Sequence, residues 1–337
     1  MMSSNKSLIT PTIDLDAPGY QIGTLKIPHS HNRSAYGHIP VPIATLARGK
    51  GPTLLLTGGV HGDEYEGPVA LMKLLGRLPE LEINGRIIVV PALNLPAFLA
   101  GARNSPIDSG NLNRLFPGKR HGGITEMIAH FVEAELLPRA DVAFDFHAGG
   151  ASFNHLPTML ASPPRDPARR ADYLKLVEAV GAPVTMVMDL LGEDRTFAAA
   201  ADRRGIPFLC GEFGGGASCN PDNLALVEAG LQRVLAVLGI VRDPPLPPPG
   251  PTRFMKVEGA EHYLYAPRSG IIEPCFHLGD EVEAGQLAAR LFDPHAPAAR
   301  PVELIFAASG KVVCARTFAT VEPGDCIALC AADHKWS

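Results

Sequence analysis

From residue 53 onwards, short apolar runs alternate with stretches whose apolar residues recur at helical spacing. The runs cover residues 53–56, 86–90, 142–146, 184–188 and 206–210, and the helical stretches residues 67–78, 125–137, 168–180 and 223–238. Uninterrupted apolar runs alternating with helical periods predict a mainly parallel sheet buried under helices on both faces. The first 50 residues differ. They alternate apolar and polar positions around 20–27 and 39–47 and are broken by Pro and Gly, as antiparallel strands leading into the main sheet would be.

A second change comes at Pro244, where P-P-L-P-P-P-G-P (244–251) favours a stiff extended linker. Beyond it the pattern holds only short β-like runs with Gly-Asp turns. Ser269-Gly270-Ile271-Ile272 is echoed by Ser309-Gly310-Lys311-Val312, and Gly279-Asp280 by Gly324-Asp325. Two similar halves predict a small β-sandwich or barrel. The expected organisation is an α/β domain over 1–243, a linker over 244–251 and an all-β barrel-sandwich domain over 252–337.

Composition narrows the function classes. Apolar residues make up 46% and charged residues 19%, the profile of a globular chain with an ample core. The net charge of -5 and the lack of any basic run argue against a nucleic-acid partner. No stretch is apolar and long enough to span a bilayer, and Met1 to Ser7 lead into the chain without an apolar signal segment, so no membrane partner and a cytoplasmic location are expected. The six cysteines form no C-x-x-C pair, which argues against a thiolate metal site or a dense disulfide framework.

Chemistry enters where polar residues fall relative to the apolar runs. His61, Asn94, His147 and Glu212 each follow a run closely, so parallel strands would bring all four to the carboxyl edge of one sheet, where open α/β sheets bind ligands. His61 and Glu64, in T-G-G-V-H-G-D-E-Y-E-G-P, are three residues apart and can reach one small cation. His147, in D-F-H-A-G-G, supplies a third ligand. Two His and one Glu leave a fourth tetrahedral position open, the arrangement of a catalytic zinc. The glycines after His147 would let the backbone crowd a metal or substrate, and Asp145 is a candidate to orient an imidazole. Glu212, in G-E-F-G-G-G, has an apolar strand behind it and a loop read as flexible and roomy ahead. It is the candidate general acid/base.

Residues 94–118 read as one long loop, too polar for a strand and too rich in Gly and Pro for a helix. Within it, Arg114 beside Asn113 suits a substrate carboxylate through two parallel hydrogen bonds, and Arg103 could polarise a scissile carbonyl. The remaining histidines carry no comparable constellation and are read as surface or satisfied polar residues, His155 near the His147 loop among them.

Together, G-G-x-H-G-D-E, N-L-N-R-x-F-P-G, D-F-H-x-G-G and G-E-F-G-G-G resemble the succinylglutamate desuccinylase/aspartoacylase family, itself related to zinc carboxypeptidases, over about residues 50 to 240. The resemblance implies one Zn2+ per subunit on His61, Glu64 and His147, with Glu212 as general acid/base and Asn113 with Arg114 on the substrate carboxylate. It also implies hydrolysis of a small N-acyl amino acid. Arg103 transfers less directly, because the stretch between it and Asn113 is longer than in aspartoacylases. Within the family, H-G-D-E-Y-E-G-P and the C-terminal G-D-E-V-E-A-G look most like bacterial N-acetyl-diaminobutyrate deacetylases of ectoine degradation. The C-terminal segment resembles a biotinyl/lipoyl-type barrel-sandwich hybrid. No lysine stands in the expected hairpin, D-P-H-A-P-A-A-R at 293–300, so a lid or homo-oligomerisation role is expected rather than carriage. The rival expectations are a zinc carboxypeptidase acting on peptides and a non-catalytic metal- or metabolite-binding protein on the same scaffold.

Overall fold

The structure, a computed structural model, describes residues 6–164, 166–188, 193–242, 244 and 246–336. The first five residues, the last position of the expected α/β domain, 243, and one position of the expected linker, 245, lie outside the described residues.

A single mixed sheet forms the spine. Its strands lie in the order Gly19–Pro28, His38–Arg48, Gly85–Val90, Thr53–Gly58, Val142–His147, Phe208–Glu212, Thr158–Ala161 and Val184–Val187. The middle four, from Gly85–Val90 to Phe208–Glu212, are mutually parallel. The two N-terminal strands form the expected antiparallel ribbon, in register from Gly19↔Ala47 to Pro28↔His38. Side chains along each central strand alternate between the two faces. Leu54, Leu56, Ile87, Val89, Phe144 and Phe146 pack with Leu71, Leu74, Val177 and Leu231 from helices Glu66–Arg77, Arg170–Val180 and Pro221–Val237. Leu55, Ile88, Val90 and Ala143 turn the other way, onto Ile128, Phe131 and Phe197 from helices Ile124–Phe131 and Phe197–Arg203. The sheet is thus buried on both faces, as the unbroken apolar runs predict.

The long loop is more ordered than its composition suggests. Leu95–Ala100 is a helix, closed by Gly101 in the left-handed conformation, and Leu112–Arg114 is a tight helical turn whose preceding residue, Asn111, accepts a hydrogen bond from the Asn113 N–H. Pro96 sits in the first turn of that helix, where a missing N–H costs nothing, so this proline starts the helix instead of breaking it.

Past the Pro-rich stretch the chain rejoins the spine. Arg253–Lys256 pairs in parallel with Val184–Val187, and Cys326–Asp333 adds antiparallel to it. A separate four-stranded sheet of Val302–Ile305, Leu287–Phe292, Gly270–Pro274 and Thr320–Val321 faces the end of the large one. The core between them, from Leu264 to Cys330, is made of C-terminal residues alone. The two halves of the sequence repeat exchange short strands reciprocally: Gly270–Pro274 pairs with Thr320–Val321, while Gly310–Arg316 pairs with Glu281–Val282.

Candidate metal and catalytic site

Three neighbouring parallel strands end at one place. Thr53–Gly58 leads through a turn to His61 and Glu64 just before helix Glu66–Arg77, Val142–His147 ends on His147, and Phe208–Glu212 ends on Glu212, directly opposite His147 in register. His61, Glu64 and His147 are all buried, and one donor atom from each lies within 4.8 Å of the others. His61 Nδ1 is 2.7 Å from Glu64 Oε1 and His147 Nδ1 is 2.9 Å from Glu64 Oε2.

The opposite edge of each imidazole is also occupied. His147 Nε2 lies 2.7 Å from Asp145 Oδ2, and the Thr57 hydroxyl donates to Asp145 Oδ1 at 2.7 Å. His61 Nε2 lies 3.2 Å from Asn111 Oδ1. Both rings therefore turn Nδ1 toward the two oxygens of Glu64. If Nε2 carries the proton in each ring, lone pairs of two nitrogens and a carboxylate converge with no hydrogen between them. Such an arrangement calls for a cation, so the donor set fits a metal with His, His and Glu ligands.

The electrostatics agree. Burial by itself would raise the Glu64 carboxyl, but the charges of His61 and His147 override it and hold the group well below the usual carboxylate range. Burial likewise opposes a charge on His147, and Asp145 and Glu64 override it upward. Glu212 shifts the other way. Burial, followed by the negative charge of Glu64, raises its carboxyl above the ordinary range, and its buried Oε2 has no hydrogen-bond partner among the described residues.

Arg103 reaches the site from the long loop, its Nη1 3.4 Å from His61 Nδ1 and 3.7 Å from Glu64 Oε1, with the side chain half-exposed. Asn113 and Arg114 sit on the adjacent turn. The Asn113 Oδ1 accepts from the Phe197 N–H at 2.9 Å, and Arg114 donates through Nη1 to the Asn113 carbonyl at 2.7 Å while approaching Glu193 at 3.9 Å. His155, partly buried, contacts Cys314 of the C-terminal segment at 3.4 Å, and burial lowers it to about 4, keeping the ring neutral.

The glycine-rich loops differ from their expected role. The Gly149 N–H and the His155 N–H both donate to the Gly214 carbonyl, the Gly216 N–H donates to Phe153, and the Ala217 N–H donates to Gly150. Asp63 accepts from the Ala151 N–H at 2.7 Å. The loops after His147 and Glu212 are thus laced to each other: the glycines admit close backbone crossings, and the loop after Glu212 is not roomy. Sequence reasoning missed Thr57, Asp63 and Asn111 as supports. All three stand inside quoted motifs, Thr57 and Asp63 around His61 and Asn111 two residues before Asn113.

Strand ends and the turns after them bring two histidines and two glutamates together, with the half-exposed Arg103 reaching in from the long loop, a donor set suited to a hydrolase of the α/β class. The chain belongs to the succinylglutamate desuccinylase/aspartoacylase family, whose catalytic domain matches residues 50–238. The N-alpha-acetyl-L-2,4-diaminobutyric acid deacetylase of Halomonas elongata is 39% identical over 325 residues, covering 96% of this chain and 95% of that protein. The product-bound structure of the ectoine utilization protein EutE (DoeB) from Ruegeria pomeroyi superposes with a TM-score of 0.92 at 37% identity, covering 97% of this chain and 99% of that one. A succinylglutamate desuccinylase/aspartoacylase structure from Rhodobacter sphaeroides gives 0.91 at 37% identity, covering 98% and 100%.

Asp145→Asn is expected to weaken metal binding by about 10- to 100-fold, since the buried carboxylate that anchors His147 would become a neutral amide. Competition against a chromophoric chelator measures this, and an unchanged dissociation constant would count against Asp145 as the anchor of a metal ligand.

Proposed function

We propose that the chain is a zinc-dependent amidohydrolase that removes a small acyl group, acetyl above all, from an N-acyl amino acid resembling N-acetyl-2,4-diaminobutyrate. The observation that carries this reading is the position of Glu212. A carboxylate with one buried, unpartnered oxygen stands across one strand register from His147, beside a His-Glu-His group. A metal-binding protein without catalysis would have no use for a second carboxylate held in a raised, proton-exchanging state.

When bound to His61, Glu64 and His147, zinc would supply Lewis acidity and lower the pKa of water to about 7. Glu212 takes the proton of the attacking water and returns it to the departing amine. Arg103, at the mouth of the triad, donates to the carbonyl oxygen as charge develops there. Arg114 and the amide nitrogen of Asn113 hold the amino-acid carboxylate, the Asn113 oxygen being engaged by Phe197. Residues 1–243 form the catalytic domain in this reading and 252–337 a β domain that walls one side of the site, in a cytoplasmic homo-oligomer. That wall supports a small substrate over a peptide, because strand Phe153–His155, just past His147, is paired to Gly310–Arg316.

The test is release of free amine by zinc-loaded protein from N-acetyl and N-succinyl amino acids, N-acetyl-2,4-diaminobutyrate included. No turnover on any of them with zinc stoichiometrically bound would overturn the reading; release of C-terminal residues from peptides would instead establish a carboxypeptidase. Arg114→Ala is expected to raise KM about 10- to 100-fold with little change in kcat, because a carboxylate anchor binds ground and transition states alike. An unchanged KM would remove Arg114 from the substrate site.

A further inference from the structure

The oxygen of Asn111 does two things at once. It accepts the N–H of Asn113 at 3.0 Å, closing the turn Leu112–Arg114, and it lies 3.2 Å from Nε2 of His61. A backbone N–H can only donate, so the Asn111 atom facing it is the carbonyl oxygen and the amide cannot be turned round. An oxygen with lone pairs on that side requires a proton on His61 Nε2. The ring then presents the lone pair of Nδ1 to Glu64, as a metal ligand must.

We propose that Asn111 is a positioning residue that couples the metal site to the substrate-carboxylate turn: a single side-chain oxygen fixes the tautomer and orientation of His61 and the conformation of the turn bearing Asn113 and Arg114. The turn is tied on its far side as well, through the Asn113 oxygen to the Phe197 N–H at the start of helix Phe197–Arg203. A displacement of His61 therefore reaches the turn through Asn111. Support for the two ring ligands is unequal: His147 leans on a buried carboxylate, His61 on a neutral amide that is shared. Zinc fixes His61 and so holds Asn111 and its turn in place; a carboxylate bound by that turn meets a site already ordered, and linkage makes the effect reciprocal. Zinc and an amino-acid carboxylate should each tighten the binding of the other.

This coupling rests on the proposed function only for its second half. Zinc(II) affinity is measured by chelator competition with Asn111, Asn111→Ala and Asn111→Asp, with and without N-acetyl-2,4-diaminobutyrate, in a Glu212→Gln background that slows turnover of the compound. The expected results are a 10- to 100-fold loss of zinc affinity in Asn111→Ala, rescue in Asn111→Asp, which keeps an acceptor oxygen at the same reach, and a ligand-induced gain in zinc affinity that Asn111→Ala abolishes. Wild-type zinc affinity in folded Asn111→Ala, or a ligand-induced gain that survives in it, would overturn the proposal. Should the Glu212-intact protein turn over no acyl amino acid while the zinc results hold, the functional reading fails and the anchoring of His61 by Asn111 stands.

Discussion

Glu212→Gln is expected to lower kcat by about 10²- to 10⁴-fold while leaving zinc content and fold unchanged. The substitution keeps the shape of the side chain, and the strand that carries it is fixed by pairing with Val142–His147 on one side and Thr158–Ala161 on the other. An amide can neither take a proton from water nor return one to an amine. The pH profile should change with the rate: the raised Glu212 carboxyl must lose its proton to act as a base, so wild-type activity climbs with pH through that titration, and the residual activity of the variant should lack that limb. Steady-state rates across pH, with zinc quantified in each sample, decide it. A variant with near wild-type kcat would remove Glu212 from the chemistry.

Gly215→Ala should damage the molecule more than its size suggests. Gly215 adopts φ of +146°, a region side chains avoid, and an added Cβ would stand 2.0 Å from the Phe153 carbonyl oxygen. Neither partner can yield easily: Phe153 is paired with Arg316, and its carbonyl accepts the N–H of Gly216. Backbone strain and overpacking together cost roughly 2–6 kcal/mol. Because the crossing loops begin at His147 and Glu212, zinc affinity and activity should fall along with the thermal midpoint. Calorimetry with zinc titration would show this, and a variant of native midpoint and full zinc affinity would mean the crossing is slack.

Much of the catalytic α/β part is legible locally. Buried parallel strands are uninterrupted apolar runs, so residues 53–56, 86–90 and 142–146 stand out, and His147, directly after the third, lies in the candidate metal group. The run at 206–210 is displaced, since the strand is Phe208–Glu212. Thr158–Ala161 was not anticipated, because His155 and Pro157 break the pattern just before it. Pairing between segments far apart in the chain leaves no local mark. That Arg253–Lys256 extends the catalytic sheet, and that Gly310–Arg316 zips onto Phe153–His155, depends on register set by the whole fold. Loop glycines are ambiguous for the same reason, since the sequence shows freedom but not the backbone that fills it.

The Pro-rich stretch invites truncation, yet the strands beyond it make that a poor design. Removing residues 252–337 would strip Arg253–Lys256 from Val184–Val187 and leave an uncovered sheet edge of mostly buried residues, a template for self-association. It would also release Phe153–His155, so the chain should melt as one cooperative unit rather than as a catalytic body with a detachable appendage.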